Sequence, residues 1–327
     1  MYFITNSYKS QGLFLDLLCY NITMENKAFL GYSDTLAILP FDHRTGLYKA
    51  FEWTEPLTPD QITEMKDGRR LIFEAIQRAV ELGIPKESAP VFTDDVFGAE
   101  VLKDAKEKGF ITFLTTEKSG ATYFDFEHGH QFGDAINAIG PTFTKALVRY
   151  NPDANHEDNK KSLENLKKLS DFSHANGYKF IIEPLIAATD EQLSQVADDK
   201  HRYDNEVRPN LTVRMIREMQ DAGIEPDVWK IEGFEHADAY EKIVAAARAG
   251  GRDNVGIITL GRNETDEVVN TWLRASSHVP GVIGFAVGRT VFLDPLLRYR
   301  QSKISRDETI TIIAEKFTSF FKVFTEK

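Results

Sequence analysis

Cysteine is almost missing: Cys19 is the single one in 327 residues. A lone thiol excludes an intramolecular disulfide framework and any zinc site built on cysteines. Such usage suits a reducing cytoplasm. Basic residues are also short, 39 Lys and Arg against 50 Asp and Glu, for a formal net charge of −11. That balance argues against nucleic-acid binding, which needs a basic face to neutralise phosphates. It leaves room for a local cationic pocket that takes an anionic small molecule. Long apolar runs are absent too. The stretch "GLFLDLLCY" (12–20) is broken by Asp16, lacks a clean small-residue cleavage site behind it, and is far too short to span a bilayer. No membrane partner is expected. Residues 1–33 read as an N-terminal extension, with Met24 a candidate true start. No Pro- or Gly-rich linker and no low-complexity tract interrupts residues 34–327, which read as one domain.

What is present is alternation. Eight short apolar runs follow one another: "TLAILPF" (35–41), "APVFTD" (89–94), "FITFLTT" (110–116), "TFTKALV" (142–148), "KFIIEPL" (179–185), "DVWKIEG" (227–233), "VGIITLG" (255–261) and "GVIGFAVG" (281–288). Stretches of helical period lie between them. The one at 58–83 opens with Thr58 as cap and Pro59 at the first helical position, and ends at Gly83. Those at 155–177, 206–223 and 236–251 also close on glycine, the residue of left-handed C-caps. Strand then helix, repeated about eight times, predicts parallel pairing and favours a closed (β/α)8 TIM barrel over an open doubly wound sheet. Residues 186–205, polar and acidic, form the longest departure and are a candidate lid. The phenylalanines at 317, 320, 321 and 324 share one helical face and predict helix packing.

Barrel enzymes work at the C-terminal ends of their strands. Every strand here ends in polar residues: Asp42, His43 and Arg44; Asp94 and Asp95; Glu117 and Lys118; Lys145 and Arg149; Glu183; Lys230 and Glu232; Gly261 and Arg262; Gly288 and Arg289. Lys230 is the odd one, an amine amid Val228, Trp229 and Ile231. A lysine buried beside apolar groups or other cations has a lowered pKa, and its neutral amine attacks a ketone to form a Schiff base. A nearby carboxylate would move the protons. The plainer alternative is a structural ion pair with Glu183 or Glu232.

Gly288–Arg289 and Gly261–Arg262 end the last two strands, where barrels commonly bind phosphate through glycine N–H groups and an arginine fork. Arg44 and Arg149 either hold a second anion or pair with Asp42, Asp94 or Asp95. Asp42–His43, Asp94–Asp95 and "HGH" (128–130) raise the thought of a metal, but three convergent ligands cannot be assembled from them, so no metal is assigned. "GGRDNVG" (250–256) lies between helix and strand and is no dinucleotide fingerprint.

Six segments in order, "FDHRTGLYK" (41–49), "EKSG" (117–120), "KALVRYNP" (145–152), "FIIEPL" (180–185), "WKIEG" (229–233) and "GFAVGRTVF" (284–292), resemble the class I aldolase family that includes tagatose 1,6-bisphosphate aldolase. Within it they most resemble an uncharacterised-domain branch often fused to 5-dehydro-2-deoxygluconokinase, the sugar kinase of myo-inositol breakdown. The resemblance spans roughly residues 34–325. It implies a metal- and cofactor-free lyase with Lys230 as imine-forming lysine and Glu183 as proton-transfer group. Lys145, Glu117 and Lys118 would orient the carbonyl and hydroxyls, with Asp42 beside them. It implies a phosphorylated sugar as substrate: 2-deoxy-5-keto-gluconate 6-phosphate, with tagatose 1,6-bisphosphate and sulfofructose phosphate as rivals. The departure is Asp42-His43-Arg44, where those aldolases tend to have Asp-Gln-Arg. Two other readings stay open, a sugar-phosphate isomerase or epimerase using Glu183 and Glu117, and a non-catalytic sugar-phosphate sensor. Oligomeric state is open as well, a homo-oligomer included.

Overall fold

In a computed structural model, which describes residues 29–326, each of the eight apolar runs holds a strand. They are β1 (Leu36–Pro40), β2 (Val91–Thr93), β3 (Thr112–Thr115), β4 (Phe143–Arg149), β5 (Lys179–Leu185), β6 (Val228–Glu232), β7 (Gly256–Leu260) and β8 (Val282–Ala286). Neighbours pair in parallel in sequence order, and β8 closes onto β1 with Leu36 opposite Gly284. The chain is a closed (β/α)8 barrel. Strands covered on both faces have no wet side, which is why they read as apolar runs.

The outer layer is α1 (Pro59–Glu81), α2 (Asp95–Glu107), α3 (Phe132–Ile139), α4 (His156–Ala175), α5 (Arg208–Asp221), α6 (Ala237–Arg248), α7 (Asp266–Ser277), α8 (Arg289–Arg300) and α9 (Arg306–Thr325). Thr58 caps α1 as read: its hydroxyl accepts from Gln61 N, and the Gln61 side chain accepts from Thr58 N. Gly177, just past α4, takes φ +77°, the left-handed turn that ends the helix. Phe317, Phe320 and Phe324 of α9 are buried, the first and last against Phe285 of β8. Among the described residues no helix is long and apolar enough to cross a membrane.

Strand alternation divides the core in two. Leu36, Ile38, Phe92, Phe113, Phe143, Ile181, Val228 and Ile258 fill the barrel interior. Phe143 stacks on Phe113 with centroids 4.2 Å apart, and Phe113 on Phe92 at 5.4 Å. Tyr32 sets its edge on Phe143 from below, at 5.2 Å. Residues just before β1 are therefore part of the barrel's packing. Gly31 N donates to buried Asp227, and Lys179 Nζ joins Asp227 to the carbonyls of Phe29 and Gly31. Met24, Cys19 and the 12–20 run lie outside the described residues.

Residues 186–205 fold onto the rim as two short helices, Asp190–Ser194 and Lys200–Arg202, leading into a π-helical turn, Tyr203–Val207. Ile186 N donates to Glu232 Oε2 at 3.0 Å, and the buried Tyr203 hydroxyl donates to Ile186 O at 3.1 Å.

Candidate active site

On β6, Val228 belongs to the inner core and Trp229 and Ile231 to the outer one, so alternation sends Lys230 inward. The same argument turns Glu183 inward on β5, after Ile181, and Lys145 inward on β4, after Phe143. All three meet beneath a cavity of about 520 Å³ at the C-terminal mouth. Lys230 Nζ lies 2.9 Å from Glu183 Oε2, and the same oxygen lies 3.1 Å from Lys145 Nζ. Lys145 also reaches Asp42 Oδ2 at 3.0 Å and makes a close pair with Glu117 Oε1. The Thr115 hydroxyl donates to Asp42 Oδ2 at 2.7 Å. Both lysines sit over the face of Phe92, Lys230 at 4.9 Å and Lys145 at 5.5 Å from its centroid.

Charge is distributed unequally in this cluster. Burial disfavours the charge of Lys145, but Asp42, Glu117 and Glu183 outweigh it and hold its pKa well above the ordinary lysine value. Burial also opposes ionisation of Asp42 and Glu183, yet the lysines, Lys145 foremost, lower both. Glu117 goes the other way. Burial raises it more than Lys145 lowers it, Asp42 adds to the rise, and its Oε2 is buried without a hydrogen-bond partner. Of the three carboxyls touching the Lys145 ammonium, two are pushed down and one up, the condition under which one holds a proton while the others stay ionised.

On the β8 side, Gly288 precedes α8, and a Cβ there would lie 2.6 Å from Pro40 O, so a larger residue would force the loop away. The first N–H groups of a helix are free for an anion. Arg289 is half-buried, and burial lowers its pKa. Its Nε is buried with no hydrogen-bond partner among the described residues. Both residues line the cavity.

The other sequence candidates divide. Lys118 and Arg149, both exposed, line the mouth on the β3–β4 side; Arg149 Nη1 donates to Ala121 O at 3.3 Å. Three candidates are engaged by other groups, two of them, Arg44 and Arg262, while lining the cavity. Gly261 N–H already donates to Ala286 O, and its missing Cβ is the space that lets Val287 pack close. Arg262 is held through Nε by Glu232 Oε1 at 2.9 Å and through Nη1 by Asp204 Oδ2 at 2.8 Å. Arg44 is buried, bonded to Glu117 O at 2.7 Å and paired with Glu127 at 2.7 Å; it braces the loop after β3, and its partner is none of the aspartates considered. Asp94 likewise is structural: it caps α2 through Phe97 N and pairs with fully buried Arg69, which in turn donates to His43 O at 2.8 Å. Asp95 pairs with His128 at 2.7 Å.

Two residues of the site have no assigned role in the sequence reading, which names His43 among the rim's polar residues and in the thought of a metal. His43 stands on the opposite alternation phase from Asp42, yet it lines the cavity because β1 stops at Pro40 and the chain turns. Burial pushes its pKa down to about 4 against the pull of Asp42, with Arg289 and Lys230 adding to the fall, so the ring is neutral at about pH 7. Its Nδ1 is buried with no hydrogen-bond partner among the described residues, Asp42 Oδ1 lying 3.8 Å away. Phe92 read only as a core residue of a short strand.

A family described as an uncharacterized protein conserved in bacteria (DUF2090) matches residues 20–327. The chain belongs to that family. No curated protein matches it. Among solved structures, the fructose-bisphosphate aldolase of Slackia heliotrinireducens superposes with a TM-score of 0.52 at 15% identity, over 89% of this chain and 88% of that one. Cgl0159 of Corynebacterium glutamicum superposes with a TM-score of 0.51 at 16% identity, over 98% of each chain. At such identities the likeness is one of fold, and this DUF2090 member has an aldolase-like (β/α)8 barrel.

Proposed function

We propose that the protein is a class I aldolase, a lyase that cleaves a phosphorylated ketose or keto-acid sugar through a Schiff base on Lys230. The observation that carries this reading is the Lys230 nitrogen at the floor of an open cavity, 2.9 Å from Glu183. The amine attacks the ketone carbon, and Glu183 relays protons so that the carbonyl oxygen leaves as water. The iminium then accepts the electrons of the neighbouring C3–C4 bond. A carboxylate of the cluster takes the proton of the hydroxyl on the carbon across that bond from the enamine, and that carbon departs as the aldehyde. The enamine is reprotonated and hydrolysed, releasing dihydroxyacetone phosphate and the free lysine. Lys145, with Asp42 and Glu117, orients the hydroxyls, and Gly288 with Arg289 holds the phosphate. No cofactor is needed for this chemistry.

Lys118 and Arg149 favour a substrate with a second anion. Arg149 ends β4, four strands around the barrel from β8 and the Gly288–Arg289 pair. The sugar we favour is 2-deoxy-5-keto-gluconate 6-phosphate, which would release malonic semialdehyde, in cytoplasmic myo-inositol breakdown. Tagatose 1,6-bisphosphate is the rival, and the sequence resemblance to the aldolase family supports both. A second reading, an isomerase working through Glu117 and Glu183, draws on the opposite pKa shifts of those two carboxyls. Borohydride separates them. With dihydroxyacetone phosphate present, reduction should fix a covalent adduct on the Lys230 peptide that Lys230→Met lacks. Turnover of a ketose phosphate without any adduct would rule out the aldolase reading in favour of isomerisation.

A further inference from the structure

We propose that the ring of Phe92 is a working part of the site, its face stabilising the positive charge carried by the Lys230 nitrogen once that nitrogen becomes an iminium. This rests on the imine reading above and adds a residue to it.

The two lysines are compensated differently. Among the described residues Lys145 faces three carboxyl groups, whereas Lys230 has one carboxylate oxygen, which it shares with Lys145. Both sit over the Phe92 face, Lys230 the closer at 4.9 Å from its centroid against 5.5 Å for Lys145, so with fewer carboxyls the ring is the larger share of what Lys230 has. That ring is fully buried and backed by the stack of Phe113 and Phe143, so it is held in place from beneath. A cation over an aromatic face is attracted by the ring quadrupole, most strongly where water is excluded.

The chemistry changes what each partner can offer. Starting from the ammonium, the nitrogen bonds to the ketone carbon while the carbon–oxygen bond breaks. Two of its three protons pass by way of Glu183 to the departing oxygen and leave as water. One positive charge stands on each side of this step, so the charge is conserved while the N–H donors fall from three to one. The hydrogen-bonded part of the stabilisation by Glu183 shrinks accordingly. Attraction to a π face depends on the charge and needs no N–H, so the share carried by the ring grows at the iminium. An interaction weighted toward the intermediate is of the kind that accelerates a reaction. An apolar floor would fill the same space and lack this effect.

The test keeps the shape and removes the quadrupole. Full-length protein is made with Phe92 replaced by phenylalanines carrying one, two, three and five ring fluorines, and Phe92→Leu is made alongside. The rate of borohydride trapping with dihydroxyacetone phosphate and the kcat of ketose cleavage are measured for each. The logarithm of both rates should fall steadily with fluorination, to about 30-fold below the unsubstituted protein, while KM changes by no more than about twofold. Phe92→Leu should match the most fluorinated form. Rates that stay flat across the fluorinated series would overturn the proposal and leave the aldolase reading standing. Absence of any adduct in the unsubstituted protein during turnover would instead remove the imine reading, and this proposal with it.

Discussion

Replacing His43 by glutamine tests whether the electrostatics described for this site operate in solution. His43 stands among mixed charges: burial disfavours its protonation most, Asp42 at 3.8 Å from Nδ1 favours it, and Arg289 and Lys230 oppose it. Nδ1 has no hydrogen-bond partner among the described residues, and the ring meets Phe292 at a steep angle. Burial holds its folded pKa at about 4, from 6.5 in the unconstrained side chain. The folded-state pKa is depressed, so between these values the unfolded chain binds more protons and stability rises with pH. The contribution is fully present above the unfolded value and is lost as pH falls toward the folded one. Linkage puts the loss at about 2 kcal/mol by about pH 5 and about 3 kcal/mol by about pH 4. Urea unfolding of wild type and His43→Gln, run at intervals from about pH 7 to about pH 4, isolates that term, because every other titrating group is common to both. Wild type should lose about 2 kcal/mol more than the variant between about pH 7 and about pH 5. Parallel stability curves would refute the argument and mean that the imidazole is wet or paired in the folded protein.

Two further substitutions probe the rim. Arg289→Ala removes the half-buried fork beside Gly288; a lost charge-assisted bond of about 1.5–3 kcal/mol should raise KM for a phosphorylated substrate about 10- to 100-fold while kcat moves little. Steady-state kinetics decide it, and an unchanged KM would place the phosphate elsewhere. Arg262→Ala removes the cation that ties Asp204 of the 186–205 segment to Glu232 of β6, leaving Asp204 on Arg208 and Glu232 on Ile186 N. Limited proteolysis should cut that segment about tenfold faster with global unfolding little changed, since the loss of these bonds is local; an unaltered digestion rate would mean that Tyr203 and Ile186 anchor it unaided.

How far the sequence reaches can be argued residue by residue. The strands were legible because parallel strands between two layers must be apolar throughout. Lys230, Glu183 and Lys145 were legible because a charged side chain inside such a run violates that rule and must be answered by another, and Asp42 because it directly follows one. Period-two alternation then says which way each points. The arginines were less so. Arg44, Arg149, Arg262 and Arg289 all follow a strand in the same style, yet two of the four are occupied by carboxylates. The partners are Glu127, in the loop after β3, and Asp204, in the insertion after β5. Loop conformation decides such pairings, and no periodicity encodes it. Phe92 marks the boundary from the other side. It sits on β2 and Lys230 on β6, strands that face one another across the closed barrel. Only closure brings a ring from one wall under an amine from the opposite wall. In the linear sequence that phenylalanine is indistinguishable from Phe113 and Phe143, which share its core cluster but, among the described residues, have no cation over their rings.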